Sequence, residues 1–120
     1  MTGKRRILAV DDDADIRGLV RRVLERAGYE VTTARDGREA IALLARDDYD
    51  VVLLDVMMPG LDGLEVVESL RRENSPVLAH TYLLTASLSK NLDDLPVRGI
   101  IAKPFDIHDL IAETKDCIGH

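Results

Sequence analysis

The sequence predicts an α/β domain: a doubly wound, five-stranded parallel sheet with helices on both faces. Three observations predict it. Short apolar runs recur and are continuous rather than alternating, as expected of strands covered on both sides. Between them lie stretches with apolar residues at i, i+3, i+4 and i+7, the stripe of an amphipathic helix. Strand and helix patterns alternate five times, and right-handed crossovers turn that alternation into a parallel sheet. At 120 residues and 46% apolar, the chain suits one domain with one core and disfavours disorder.

The elements follow in order. Ile7–Val10 is the first strand, and Ile16, Leu19, Val20, Val23, Leu24 and Ala27 form the stripe of the first helix, which Gly28 ends. Tyr29–Ala34 is more polar and mixed, which places it at a sheet edge. Asp36–Glu39 and Asp62–Glu65 each set an acid three residues before a Glu, as in a capping box with Asp in the Ser/Thr role. Val51–Leu54, Leu83–Leu84 with its neighbours, and Ile100–Ala102 are the remaining strands. A fourth helix in Ser87–Pro96 has a poor pattern. Asp106–Asp109 opens the last helix, with Ile107, Leu110, Ile111, Thr114 and Ile118 on its inner side.

The bulk composition excludes several classes. A net charge of −6 disfavours direct nucleic-acid binding. One cysteine, Cys117, rules out a disulfide framework. No apolar stretch approaches the ~20 residues of a membrane span, and the apolar run after Arg6 is too short for a signal peptide. A soluble, cytoplasmic protein without membrane partners is expected.

In such a sheet, ligands bind beyond the carboxyl ends of the strands, at the switch point in strand order. The strands end in Asp11-Asp12, Asp55, Thr85 and Lys103-Pro104. Each residue alone has an ordinary reading as a turn, cap or surface group. Together they bring three carboxylates, one hydroxyl and one ammonium to one edge. Three close carboxylates repel unless a cation sits among them. Mg²⁺ suits this set, since it takes oxygen ligands and needs only one or two protein carboxylates. Asp13 and Asp15 belong instead to the loop and first turn of the following helix, where acids suit the dipole. A calcium loop fails, because Ile16 stands where glycine is required and Arg22 where the bidentate Glu should be. Met57 and Met58 are expected to pack and shape the loop beside Asp55, and His80, His108 and His120 to lie on the surface.

The stretches "ILAVDD", "DVMMPGLDGLEV", "LLTAS" and "KPF" appear in that order. Through them the whole chain, residues 1–120, resembles the receiver domain of two-component response regulators. The resemblance implies a flavodoxin-like strand order, 2-1-3-4-5. It implies Mg²⁺- (or Mn²⁺-) dependent transfer of a phosphoryl group from a kinase phosphohistidine to Asp55, switching partner binding. The domain would catalyse only its own phosphorylation and dephosphorylation. Asp12, Asp55 and the backbone carbonyl of Met57 would bind the cation, with Asp11 helping through water. Lys103 would pair with Asp55 and then with the phosphoryl oxygen, toward which Thr85 would swing. Pro104 would follow a cis bond. Implied partners are a sensor histidine kinase or histidine phosphotransfer protein, an output partner, and a phosphorylation-dependent second copy. Docking would use Asp15, Ile16, Leu19, Arg22 and Phe105.

Two other readings compete. A haloacid-dehalogenase-type phosphatase would carry phosphate on Asp11, but Asp93-Asp94 precede Lys103, the reverse of that pattern. A degenerate receiver would bind partners without phosphate, against which all five site residues stand. The chain also departs from the family. Ile100 stands where receivers usually carry Tyr or Phe as part of the switch. Lys103 follows Thr85 by only eighteen residues, so the helix between them is short. Gly18 inside the first helix costs roughly 1 kcal/mol against Ala, with no reason visible in the sequence. A stand-alone receiver and a piece of a longer regulator both fit.

Overall fold

A computed structural model describes residues 4–86 and 94–118. Five strands, β1 (Arg6–Val10), β2 (Glu30–Ala34), β3 (Val51–Asp55), β4 (Thr81–Thr85) and β5 (Gly99–Ala102), form one parallel sheet in the order β2-β1-β3-β4-β5. The helices are α1 (Ala14–Arg26), α2 (Gly37–Arg46), α3 (Gly63–Arg72) and α4 (Ile107–Ile118), with a 3-10 turn at Pro76–His80. The expected class and strand order are both present.

The pleat sorts side chains to two cores. Leu8, Val10, Val52, Leu54 and Leu83 pack with Ala40 of α2 and Val66, Val67 and Leu70 of α3. Ile7, Ala9, Leu53, Tyr82 and Leu84 pack with Val20 and Leu24 of α1 and Leu110 of α4. β3 and β4 are buried along their whole length, which explains their continuous apolar runs.

Several local expectations need correction. Leu19 is 39% exposed and Ala27 is exposed, so neither joins the inner stripe of α1. That stripe centres on Val20 and Leu24, and Leu19 lies about 100° away from Val20 around the helix. Tyr29 precedes β2 rather than opening it. The Asp62–Glu65 capping box is complete. At α2 only half forms: Asp36 accepts from Glu39 N–H, but Glu39 reaches back to Arg35 N–H instead of Asp36. Met58 is buried, whereas Met57 is 62% exposed and does not pack. Gly28 does end α1, at φ 102°. A Cβ on Gly18 would meet only Arg22, at 4.0 Å, so packing gives no reason for that glycine. His80 and His108 are exposed, as expected. The expected helix at Ser87–Pro96 falls largely outside the described residues, as does His120. Among the described residues, no helix is long and apolar enough to cross a membrane.

Candidate functional site

The carboxyl ends of β1, β3, β4 and β5 meet at one edge, where β1 separates β2 from β3. Asp11 follows β1, and its N–H donates to Ala34 C=O at 3.1 Å, which extends the ladder by one residue. Asp55 ends β3, and Val56 N–H donates to Leu84 C=O at 3.0 Å. The loop after Asp55 returns at Gly63, whose N–H donates to Val56 C=O at 3.1 Å. Only glycine fits there, because a Cβ would collide with the Asp55 carbonyl. Thr85 ends β4 and is buried, and its carbonyl accepts from Lys103 N–H at 2.8 Å. Lys103 comes directly after β5, and its bond to Pro104 is cis.

These elements bring Asp11, Asp12, Asp55 and Lys103 together. Asp11 and Asp55 are each 3% exposed, while Asp12 is exposed. One carboxylate oxygen from each of the three acids lies within 4.8 Å of the others. Lys103 Nζ stands 2.9 Å from Asp11 Oδ2 and 3.3 Å from Asp55 Oδ1. Asp11 Oδ1 accepts from Asp13 N–H at 2.9 Å, and Asp55 Oδ1 from Met57 N–H at 3.3 Å. Asp13 itself caps α1 by accepting from Asp15 and Ile16 N–H.

The charge balance is unfavourable to Asp55. Burial first, and then the Asp11 charge, push its carboxyl up to about 6, although Lys103 and the Met57 N–H pull it down. Burial alone would lower the Lys103 ammonium, but its contacts with Asp11 and Asp55 outweigh that and raise it. Three carboxylates against one ammonium leave a net negative, oxygen-lined cleft, which fits the donor set of a hard divalent cation.

The other expected residues distribute unevenly. Ile16, Leu19 and Phe105 line an apolar hollow of about 380 Å³ with Ala86, Lys103 and Pro104. Asp15 and Arg22 are exposed on α1 outside that lining. Ile100 is partly buried against the core beneath α2 and α3, opposite Leu83 in the β4–β5 register. One contact was not foreseen. Arg17, on the first turn of α1, donates to the Asp11 carbonyl at 2.8 Å. Residue spacing carries no signal for a side chain that turns back to its own N-terminal loop.

A family model described as response regulator receiver domain matches residues 7–115. The chain belongs to the response regulator receiver domain family. Membership decides against the phosphatase alternative on Asp11. Among curated relatives, the response regulator MprA of Mycolicibacterium vanbaalenii is 44% identical over 112 residues, covering 92% of this chain and 48% of MprA. The transcriptional regulatory protein TcrA of Mycobacterium tuberculosis is 39% identical over 117 residues, covering 92% of this chain and 44% of TcrA. The receiver thus spans about half the length of the curated relatives it matches. Among solved structures, the Vibrio cholerae chemotaxis protein CheY4 superposes with a TM-score of 0.86 at 34% identity, over 96% of this chain and 99% of CheY4. The response regulator TrrA of Thermotoga maritima, solved in complex with Mg²⁺ and BeF, gives 0.84 at 35% identity, over 94% and 98%.

Proposed function

We propose that this receiver accepts a phosphoryl group on Asp55 from a phosphohistidine of a sensor kinase or histidine phosphotransfer protein. An Asp55 carboxylate oxygen attacks phosphorus, the P–N bond to the donor imidazole breaks, and an acyl phosphate forms. Phosphoryl transfer depends mostly on positioning and charge neutralisation. Lys103 supplies both: its ammonium already bridges Asp55 and Asp11, and it moves onto a phosphoryl oxygen as Asp55 loses its charge. Thr85, at the end of β4, donates its hydroxyl to a second phosphoryl oxygen. Asp11, Asp12, Asp55 and the Met57 carbonyl would hold Mg²⁺ or Mn²⁺. When bound, that cation neutralises charge on the acids and on the phosphoryl oxygens.

The observation that carries this reading is the convergence of three acids within 4.8 Å beside one ammonium, on three separate strand ends. The Mg²⁺ and BeF bound to TrrA support it by analogy. The kinase docks on the apolar hollow between α1 and Phe105, flanked by Asp15 and Arg22, and an output partner reads the phosphorylated form.

Intact-mass measurement after incubation with Mg²⁺ and acetyl phosphate tests the assignment. Wild type gains one phosphate and Asp55→Asn gains none. Equal incorporation in both sinks it. No incorporation in wild type, together with no binding of beryllofluoride, makes the domain a phosphate-independent module instead.

A further inference from the structure

Asp11 is held at four points. Its N–H donates to Ala34 C=O, its Oδ1 accepts from Asp13 N–H, and its Oδ2 meets Lys103. The fourth is Arg17, whose Nη1 donates to the Asp11 carbonyl at 2.8 Å. That carbonyl belongs to the peptide joining Asp11 to Asp12. Its orientation therefore sets where the Asp12 side chain starts relative to Asp11 and Asp55.

From this geometry we infer that Arg17 is the positioning residue of the acid cluster. It anchors the Asp11–Asp12 peptide to α1 and so holds two of the three carboxylates in register with Asp55. The inference rests on the reading that the cluster holds a divalent cation. A charge-assisted hydrogen bond is about twice as strong as a neutral one. A guanidinium also presents its donors in a rigid planar fork, so the tie is directional. Its positive charge stands beside a net negative cleft and reduces the repulsion that would otherwise spread the turn. Arg17 is only partly buried, so water can satisfy the carbonyl after truncation. What is lost is the orientation of the peptide.

A simple stabilising tie between loop and helix would lower unfolding free energy and leave cation binding alone. The positioning role is separated from it by measuring three quantities on wild type, Arg17→Ala, Arg17→Lys and Arg21→Ala. These are Mg²⁺ affinity by amide NMR titration, exchange of the Asp13 amide, and the urea midpoint. In Arg17→Ala, Mg²⁺ binds roughly tenfold more weakly, the size typical of losing a group that orients a metal ligand. The Asp13 amide exchanges faster, since Asp11, which carries its acceptor, has lost one of its four ties. Arg17→Lys recovers most of the affinity, and Arg21→Ala matches wild type. Unchanged Mg²⁺ affinity in Arg17→Ala overturns the inference, whatever happens to its stability. Failure of wild type itself to bind Mg²⁺ overturns the metal reading and the inference with it, a result distinct from selective failure of the variant.

Discussion

Lys103 Nζ lies closer to Asp11, at 2.9 Å, than to Asp55, at 3.3 Å. One ammonium therefore serves two buried carboxylates, and Asp55, the proposed phosphate acceptor, is the less well neutralised of the two. Removing one partner of a buried ion pair is strongly destabilising, because it leaves charge uncompensated. Lys103→Ala should cost on the order of 2 kcal/mol at pH 7.5 without divalent cation, since the site opens to solvent on the Asp12 side. At pH 5 the cost should shrink, as Asp55 then takes up a proton. Urea titrations of both proteins at the two pH values check this. An equal gap at both would contradict it.

The raised Asp55 carboxyl gives a pH dependence of definite sign. An acid whose folded value is about 6 against an ordinary 3.8 binds its proton more tightly in the native state. Its ionisation therefore costs stability as pH rises from about 4 to about 6, and the cost is complete above that window. Asp55→Asn should be more stable than wild type at pH 7 without metal, by on the order of 1–2 kcal/mol after allowing for solvent screening. The two should converge near pH 4. A constant difference across the range would show that burial of Asp55 is not the cause.

Mg²⁺ should reverse the same penalty. A ligand that binds only the native state stabilises by RT ln(1 + [L]/Kd), about 1.4 kcal/mol at a tenfold excess over Kd. Asp12→Ala removes an exposed candidate ligand without touching the core, and most of the Mg²⁺-induced rise in Tm should go with it. A shift that persists in Asp12→Ala places the cation elsewhere.

Docking and chemistry should separate. Asp15 and Arg22 are exposed, whereas Ile16 also packs against the core beneath α1, so the two charged residues are the cleaner probes. Charge reversal at both should slow transfer from the phosphorylated kinase and leave labelling by acetyl phosphate unchanged. Parallel loss of both reactions would instead indicate a damaged fold.

Ile100 is expected to be a passive wall rather than part of the switch. It is β-branched, stiff at χ1, and only partly buried. Ile100→Ala should therefore cost about 1–2 kcal/mol, below the roughly 2–5 typical of a fully buried site. The amides of Thr85 and Ala86 should still shift on adding beryllofluoride. If they fall silent in a variant that still binds it, Ile100 belongs to the relay.

The strand ends were legible because residue type and position carry the signal there. One acid or ammonium closing an apolar run means little alone, but several at successive strand ends converge at one sheet edge, and Asp11, Asp12, Asp55 and Lys103 do assemble there. Side-chain direction was less legible. Leu19 obeys helical spacing yet faces outward, and Glu39 caps Arg35 rather than Asp36. The Arg17 tie to Asp11 and the tighter grip of Lys103 on Asp11 than on Asp55 depend on rotamers and distances, which no spacing rule encodes.

β5 occupies the sheet edge and delivers Lys103, and it does so late. A ribosome extends the chain from its N-terminus, and every acid of the cluster has been made by residue 55, long before the ammonium that balances them. A nascent chain that has completed β4 can pair β1, β3 and β4, yet it closes those strands over carboxylates that lack their ammonium partner. For that interval an external divalent cation is the available counter-charge. The repulsion among the acids should therefore be greatest before Lys103 emerges, and the help that free Mg²⁺ gives should shrink, without vanishing, once β5 is in place.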